Sequence, residues 1–203
     1  MNPRVLRRFI FLMALLVLGG GLLFLVFGQQ LSMAPGDFET KMGDQRLEDR
    51  LYDEALAHFD KALAEQPNHR GALMGRALVF IQAERYDEAI AELDHLIKYL
   101  NETLTDDDAT GRGVLAAAYA NRGIVYDRLG QYQKALDSYV AALKTDQETV
   151  GGPGVVDKIL HPSDHVSTVR DRAVYLDQQL KLPPEERLLR LPEIDEQQRM
   201  YKP

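Results

Sequence analysis

Three stretches of this chain repeat one spacing of residues, and nothing else in it restricts the fold as strongly. The first holds Tyr52-Asp53-Glu54-Ala55-Leu56, then Phe59, Ala62-Leu63 and Pro67. The second holds Tyr86-Asp87-Glu88-Ala89-Ile90, then Leu93 and Leu96-Ile97. The third holds Tyr132-Gln133-Lys134-Ala135-Leu136, then Tyr139 and Ala142-Leu143. A small residue stands twelve positions before each alanine: Gly43, Ala77 and Gly123. Ala55 and Ala89 are 34 residues apart, and Ala89 and Ala135 are 46 apart, the same period with twelve residues inserted. A fixed period of this length means a row of stacked supersecondary units.

Each unit reads as two helices joined by a tight turn, such as Arg128-Leu129-Gly130-Gln131. The small residues let the paired helices approach towards the lower end of the usual ~8–10 Å. Tyr52, Tyr86, Tyr132, Phe59 and Tyr139 fill the space between units. One helix pair cannot bury its apolar face alone, so such units stack, and the array needs about three copies and caps. Val166, Val169, Ala173, Leu176 and Leu180 form a helical stripe after a Ser163-Asp164 N-cap, predicting a capping helix over 163–181. Gly151-Gly152-Pro153-Gly154 breaks the chain before it.

These residues resemble the tetratricopeptide repeat family. The third copy carries the resemblance most fully, with Asn121-Arg122-Gly123, Tyr126, Gly130, Tyr132, Ala135, Tyr139 and Ala142. The family's early Trp is missing; Glu39, Leu73 and Tyr119 stand there. Leu96 replaces the usual Ala of the second helix, and only the first copy ends in Pro. The resemblance implies an all-α fold, an α-solenoid of three helix-turn-helix units (36–69, 70–103 and 116–149) with an insertion at 104–115. A loop and capping helix at 150–181 and a Pro-rich charged tail at 182–203 would follow.

Ahead of the repeats, Phe9–Gly28 is a run of 20 residues without a charge. As a helix it would span about 30 Å, the thickness of bilayer hydrocarbon. The run is longer than the ~7–15 apolar residues of a cleaved signal peptide, and Pro35 disfavours cleavage at Ser32-Met33-Ala34. The expectation is therefore a single N-terminal transmembrane helix (9–28) between a cytoplasmic stub (1–8) and a linker (29–35). Arg4, Arg7 and Arg8 precede the run and Lys41 is the first base after it, which places the N-terminus inside. The repeats would then lie in the periplasm, held at the inner membrane. Gly19-Gly20-Gly21 forms no Gly-x-x-x-Gly pair with Gly28, so it reads as a tolerated patch.

The part beyond residue 35 carries all 31 acids and all but three of the 24 bases, which excludes a nucleic-acid partner. There is no cysteine, nucleophile motif or phosphate-binding loop, so neither an enzyme nor a small-molecule substrate is expected, and no cofactor. His161 and His165 have a His-x3-His spacing, but Pro162 and Ser163 put them at a helix start, where they read as solvated cap residues. Asp106, Asp108, Thr110 and Gly111 match half of a calcium loop, yet Ala117 stands where its bidentate Glu belongs.

What remains is a binding surface. By resemblance, the first helices of the units line a concave groove. Thr40, Asp44 and Leu47 would come from unit one, Met74, Leu78 and Ile81 from unit two, and Ala120, Ile124, Asp127 and Arg128 from unit three. Such a lining suits an amphipathic helix or an extended peptide with apolar anchors. Its other candidate occupant is the tail, where Leu188, Leu189, Leu191, Ile194, Met200 and Tyr201 supply apolar groups. The family's clamp for C-terminal carboxylates uses Lys and Asn, which Thr40 and Asp44 replace. The function expected is a membrane-anchored scaffold that binds a protein partner and helps assemble an envelope complex. The alternative is a permanent accessory subunit of a membrane complex, held by anchor and tail.

Overall fold

A computed structural model describes residues 3–31, 34–150, 168–190 and 200–201, all helical or irregular, with no strand among them. Helix α1 runs Pro3–Leu31. Six helices then alternate in antiparallel pairs: α2 (Asp37–Glu48) with α3 (Tyr52–Glu65), α4 (Arg70–Gln82) with α5 (Tyr86–Thr103), and α6 (Ala109–Arg128) with α7 (Tyr132–Thr145). A single turn, α8 (Gln147–Val150), and the helix α9 (Val169–Leu180) complete the array, followed by a 3-10 turn at Pro184–Glu186.

The turn within each pair is the same object three times. Arg50, Glu84 and Gly130 take left-handed φ of 60°, 58° and 72°. The next residue's N–H then reaches back to the carbonyl five residues earlier, Leu51 to Arg46, Arg85 to Phe80 and Gln131 to Tyr126, each at 2.8 Å. The left-handed residue's own N–H bonds the carbonyl three residues back, Arg50 to Leu47, Glu84 to Ile81 and Gly130 to Asp127, and the two hydrogen bonds together end each first helix and reverse the chain.

The pairs then close on their small residues. Ala55, Ala89 and Ala135 are each fully buried. A Cβ at Gly43 would lie 2.6 Å from the Phe59 ring, one at Gly75 2.3 Å from it, and one at Gly123 2.5 Å from Tyr139. Phe59 thus lies between α2 and α4 only because both are bare there.

Two arginines at equivalent places staple successive pairs. Arg76 holds Glu92 of its own pair through two nitrogens (2.9 and 3.1 Å) and Asp60 of the preceding pair at 2.7 Å. Arg122 holds Ser138 of its own pair (3.3 Å) and Asp94 of the preceding pair (2.6 Å). The inserted residues go into longer helices, 18 residues in α5 and 20 in α6 against 14 in α3 and α7. Asp108 caps α6, accepting the Gly111 N–H at 2.7 Å and the Arg70 guanidinium at 2.6 Å. Both contacts hold its carboxyl below the usual range, and they give that half of a calcium loop an ordinary structural role.

The core has two parts. One runs from α2 to the side of α6 that carries Val114, Ala118 and Val125, around Phe59, Leu73, Leu93 and Leu96. The other joins the side of α6 that carries Ala116, Ala120 and Ile124 to α7 and α9, around Tyr139 and Leu176. Helix α9 closes the open side of α7, but it begins later than the stripe suggested. Thr168 and Asp171 form a reciprocal capping box at its start. The anticipated cap at Ser163-Asp164, the glycine break at 151–154, and His161 and His165 lie outside the described residues.

The expectation of a membrane span is corrected. Among the described residues no helix is long and apolar enough to cross a membrane. This overturns the transmembrane helix at Phe9–Gly28 and the inner-membrane contact through it. The placement that rested on it, N-terminus inside and repeats in the periplasm, falls too.

Candidate functional site

The groove residues named from the sequence do not form one continuous lining. At the α2 end, Thr40 is buried at the junction with α4. His69 Nδ1 accepts the N–H of Ala72 at 3.1 Å, so its Nε2 carries the proton and donates to Asp37 Oδ1 at 2.9 Å. The Thr40 hydroxyl then donates to the same Nδ1 at 3.3 Å. Thr40 is part of how α4 starts on α2. Beside it opens a cavity of about 410 Å³, lined by Asp37, Asp44, His69, Arg70, Met74 and Thr110 among others. Of the named set, Asp44 and Met74 reach this space.

Leu47, Leu78 and Ile81 are buried in the first core and Ala120 and Ile124 in the second. Asp127 does not face a partner. Arg172 of α9 grips it with Nε to Oδ2 and Nη2 to Oδ1, both 2.7 Å, and Tyr139 donates its hydroxyl to Oδ2 at 3.2 Å. The carbonyl of Arg128 accepts from Arg190 at 3.2 Å.

Between the cavity and α9 lies Asn121, fully buried and not on the list drawn from the sequence. Its Nδ2 approaches Met74 Sδ at 3.4 Å and donates to the carbonyl of Tyr201 at 2.7 Å. Its Oδ1 accepts the N–H of the same residue at 2.8 Å. One amide thus satisfies both main-chain groups of one extended residue, 80 positions along the chain. The Tyr201 hydroxyl accepts the N–H of Val169, the first residue of α9, at 3.3 Å. Burial raises the pKa of that phenol above its ordinary value. A signal for Asn121 was present. Ala117, Ala120, Asn121 and Ile124 follow the i, i+3, i+4, i+7 pattern of a core-facing stripe, and an amide there requires a partner.

Helix pairs stacked one on the next define an all-α helical-repeat fold. Residues 40–99 match one tetratricopeptide repeat model and residues 116–148 a second. These segments are tetratricopeptide repeats. A 119-residue stretch is 25% identical to the Hsp70-Hsp90 organizing protein of Triticum aestivum, taking in 57% of this chain and 18% of that protein. The matched stretch spans less than a fifth of that relative's length. Among solved structures, the first TPR of Spaghetti (RPAP3), bound to the HSP90 peptide SRMEEVD, superposes with a TM-score of 0.51 at 15% identity. It covers 73% of this chain and 94% of that one. The TPR2AB domain of yeast Sti1, in complex with pHSP90, also gives 0.51 at 21% identity, covering 74% of this chain and 52% of that one. Both show the fold.

Proposed function

We propose that this chain is a protein–protein interaction adaptor whose three units, 36–69, 70–103 and 116–149, cradle an extended segment of a partner. The observation that carries the reading is Asn121. A buried side-chain amide spends both its donor and its acceptor on the main chain of one extended residue. Main-chain bonding of that kind grips a peptide whatever its sequence, and neighbouring pockets then select side chains. The pocket next to it is the cavity beneath Asp44 and Met74. That the solved neighbours hold an HSP90 peptide and pHSP90 in the same fold supports a peptide as occupant.

The cavity is lined by both signs of charge, and Asp37 is engaged by His69 as Arg70 is by Asp108. The occupant we propose is a segment with apolar anchors.

Photo-crosslinking in cells tests this. A crosslinking residue in place of Asp44 or Thr110, at the cavity, is expected to trap the same protein. The same residue in place of Lys98, exposed on α5, is expected to trap none of it. An identical adduct at Lys98, or none at either cavity position, overturns the reading.

A further inference from the structure

We propose that the segment carrying Met200 and Tyr201 is a resident occupant of the groove, and that a partner peptide binds by displacing it. The inference rests on the groove reading above and adds what controls access to it.

The contact is not a loose end lying on a surface. Tyr201 packs against both parts of the core, and Met200 against the first. Apart from Tyr201, Tyr119 alone among the described residues packs against both parts. The main chain of Tyr201 pairs with Asn121 on α6, and its hydroxyl reaches the start of α9. One residue therefore ties the inner helix of the third pair to the closing helix. The approach of the tail is also held. Leu188 and Leu189 lend their carbonyls to Tyr175 and Arg172 of α9, and Arg190 donates to the end of α6.

The same features make the occupant replaceable. Of Tyr201, Asn121 bonds only the main-chain N–H and C=O, which an extended peptide also offers. Met200 and Tyr201 remain half-buried, unlike the core residues they touch. A competitor must be extended, must present both main-chain groups to Asn121, and must carry an aromatic side chain long enough to reach Val169. A flexible apolar residue before it would take the place of Met200. The partner segment is thus of apolar–aromatic character, a mimic of the chain's own tail.

The test uses the full chain and a fluorescent peptide of residues 191–203. If the resident segment holds the groove at least ~90% of the time, the peptide binds wild type at least about tenfold more weakly than it binds Tyr201→Ala. In the Tyr201→Ala chain, Asn121→Asp keeps an acceptor and loses the amide donor, and is expected to weaken the peptide at least about tenfold. A peptide with alanine at the Tyr201 position is expected to lose binding as well. Circular dichroism melts verify that each variant is folded, and Asn121→Gln substitutes if Asn121→Asp is not. Equal affinity for wild type and Tyr201→Ala overturns the proposal, as does binding indifferent to Asn121 or no binding to either chain. If it is overturned while crosslinking through Asp44 still traps one partner, the groove reading stands without the tail. If crosslinking fails as well, both fall.

Discussion

Replacing Arg172 by Met is expected to be among the costliest single changes in the repeat array, and the size follows from burial. The side chain of Arg172 is 1% exposed and that of Asp127 5%, with two N–O distances of 2.7 Å. An exposed ion pair contributes about 0–1 kcal/mol. Breaking a buried one costs about 3–5 kcal/mol, because a desolvated charge stays behind. Methionine preserves most of the stem's packing, so the loss reports the charge. At about 2–4 °C per kcal/mol for a chain of this size, Tm falls by about 6–20 °C. Adding Asp127→Asn removes the stranded charge and keeps an acceptor for Tyr139, so the double variant should recover about half the loss or more. Urea unfolding followed by circular dichroism on the four chains of the cycle measures both numbers. A loss below about 1 kcal/mol for Arg172→Met would refute the reasoning, since it is the value of a pair in water. Helix α9 would then not be seated on α6.

Two further outcomes follow. Gly123→Ala puts a methyl 2.5 Å from the Tyr139 ring and is expected to cost about 1–3 kcal/mol. Gly113→Ala in the same helix meets nothing closer than 3.4 Å and should be neutral or gain up to about 1 kcal/mol, so equal urea midpoints for the two would contradict the packing argument. Asp108 and Asp146 have pKa values lowered from 3.8, first by the backbone N–H groups of Gly111 and Thr149 and then by Arg70 and the Thr149 hydroxyl. A lowered folded pKa contributes stability that is present above 3.8 and lost as pH falls through the folded value. Urea midpoints should therefore drop between pH 4 and pH 2, and a drop undiminished in Asp108→Asn/Asp146→Asn would count against those caps.

The period of the repeats was legible because it is written in the residues that cannot vary without a clash: Gly43 under Phe59, Gly123 under Tyr139, and the alanines that meet them. The turns were legible at Gly130, where glycine announces a left-handed backbone. At Arg50 and Glu84 the same conformation is carried by residues that do not announce it. Context overrode local preference there, since the two bonds closing each turn outweigh the strain of a positive φ. The cap of α9 was not read from the sequence, although Thr168 and Asp171 have the three-residue spacing that lets each side chain satisfy the other's backbone. The apolar run at Phe9–Gly28 was read as a span from length and composition, whereas among the described residues no helix is long and apolar enough to cross a membrane.

The site was less legible than the fold for one reason that recurs in each half of it. An apolar stripe marks what a helix buries but not what buries it. Leu78 and Ile124 lie on the inner helices as the resemblance implied, yet other helices of this chain already cover them. The informative residues are the polar ones interrupting the stripes. Asn121 sits among Ala117, Ala120 and Ile124, and Arg172 among Val169, Ala173 and Leu176. Neither position tolerates a polar group without a partner, so each records a neighbour that the periodicity omits. For Arg172 the neighbour is Asp127, which the resemblance had set in the groove lining. For Asn121 it is a main chain, and main chain leaves no trace in a residue pattern. That is why the occupant of the proposed groove stayed open, in the sequence, between a partner and the tail.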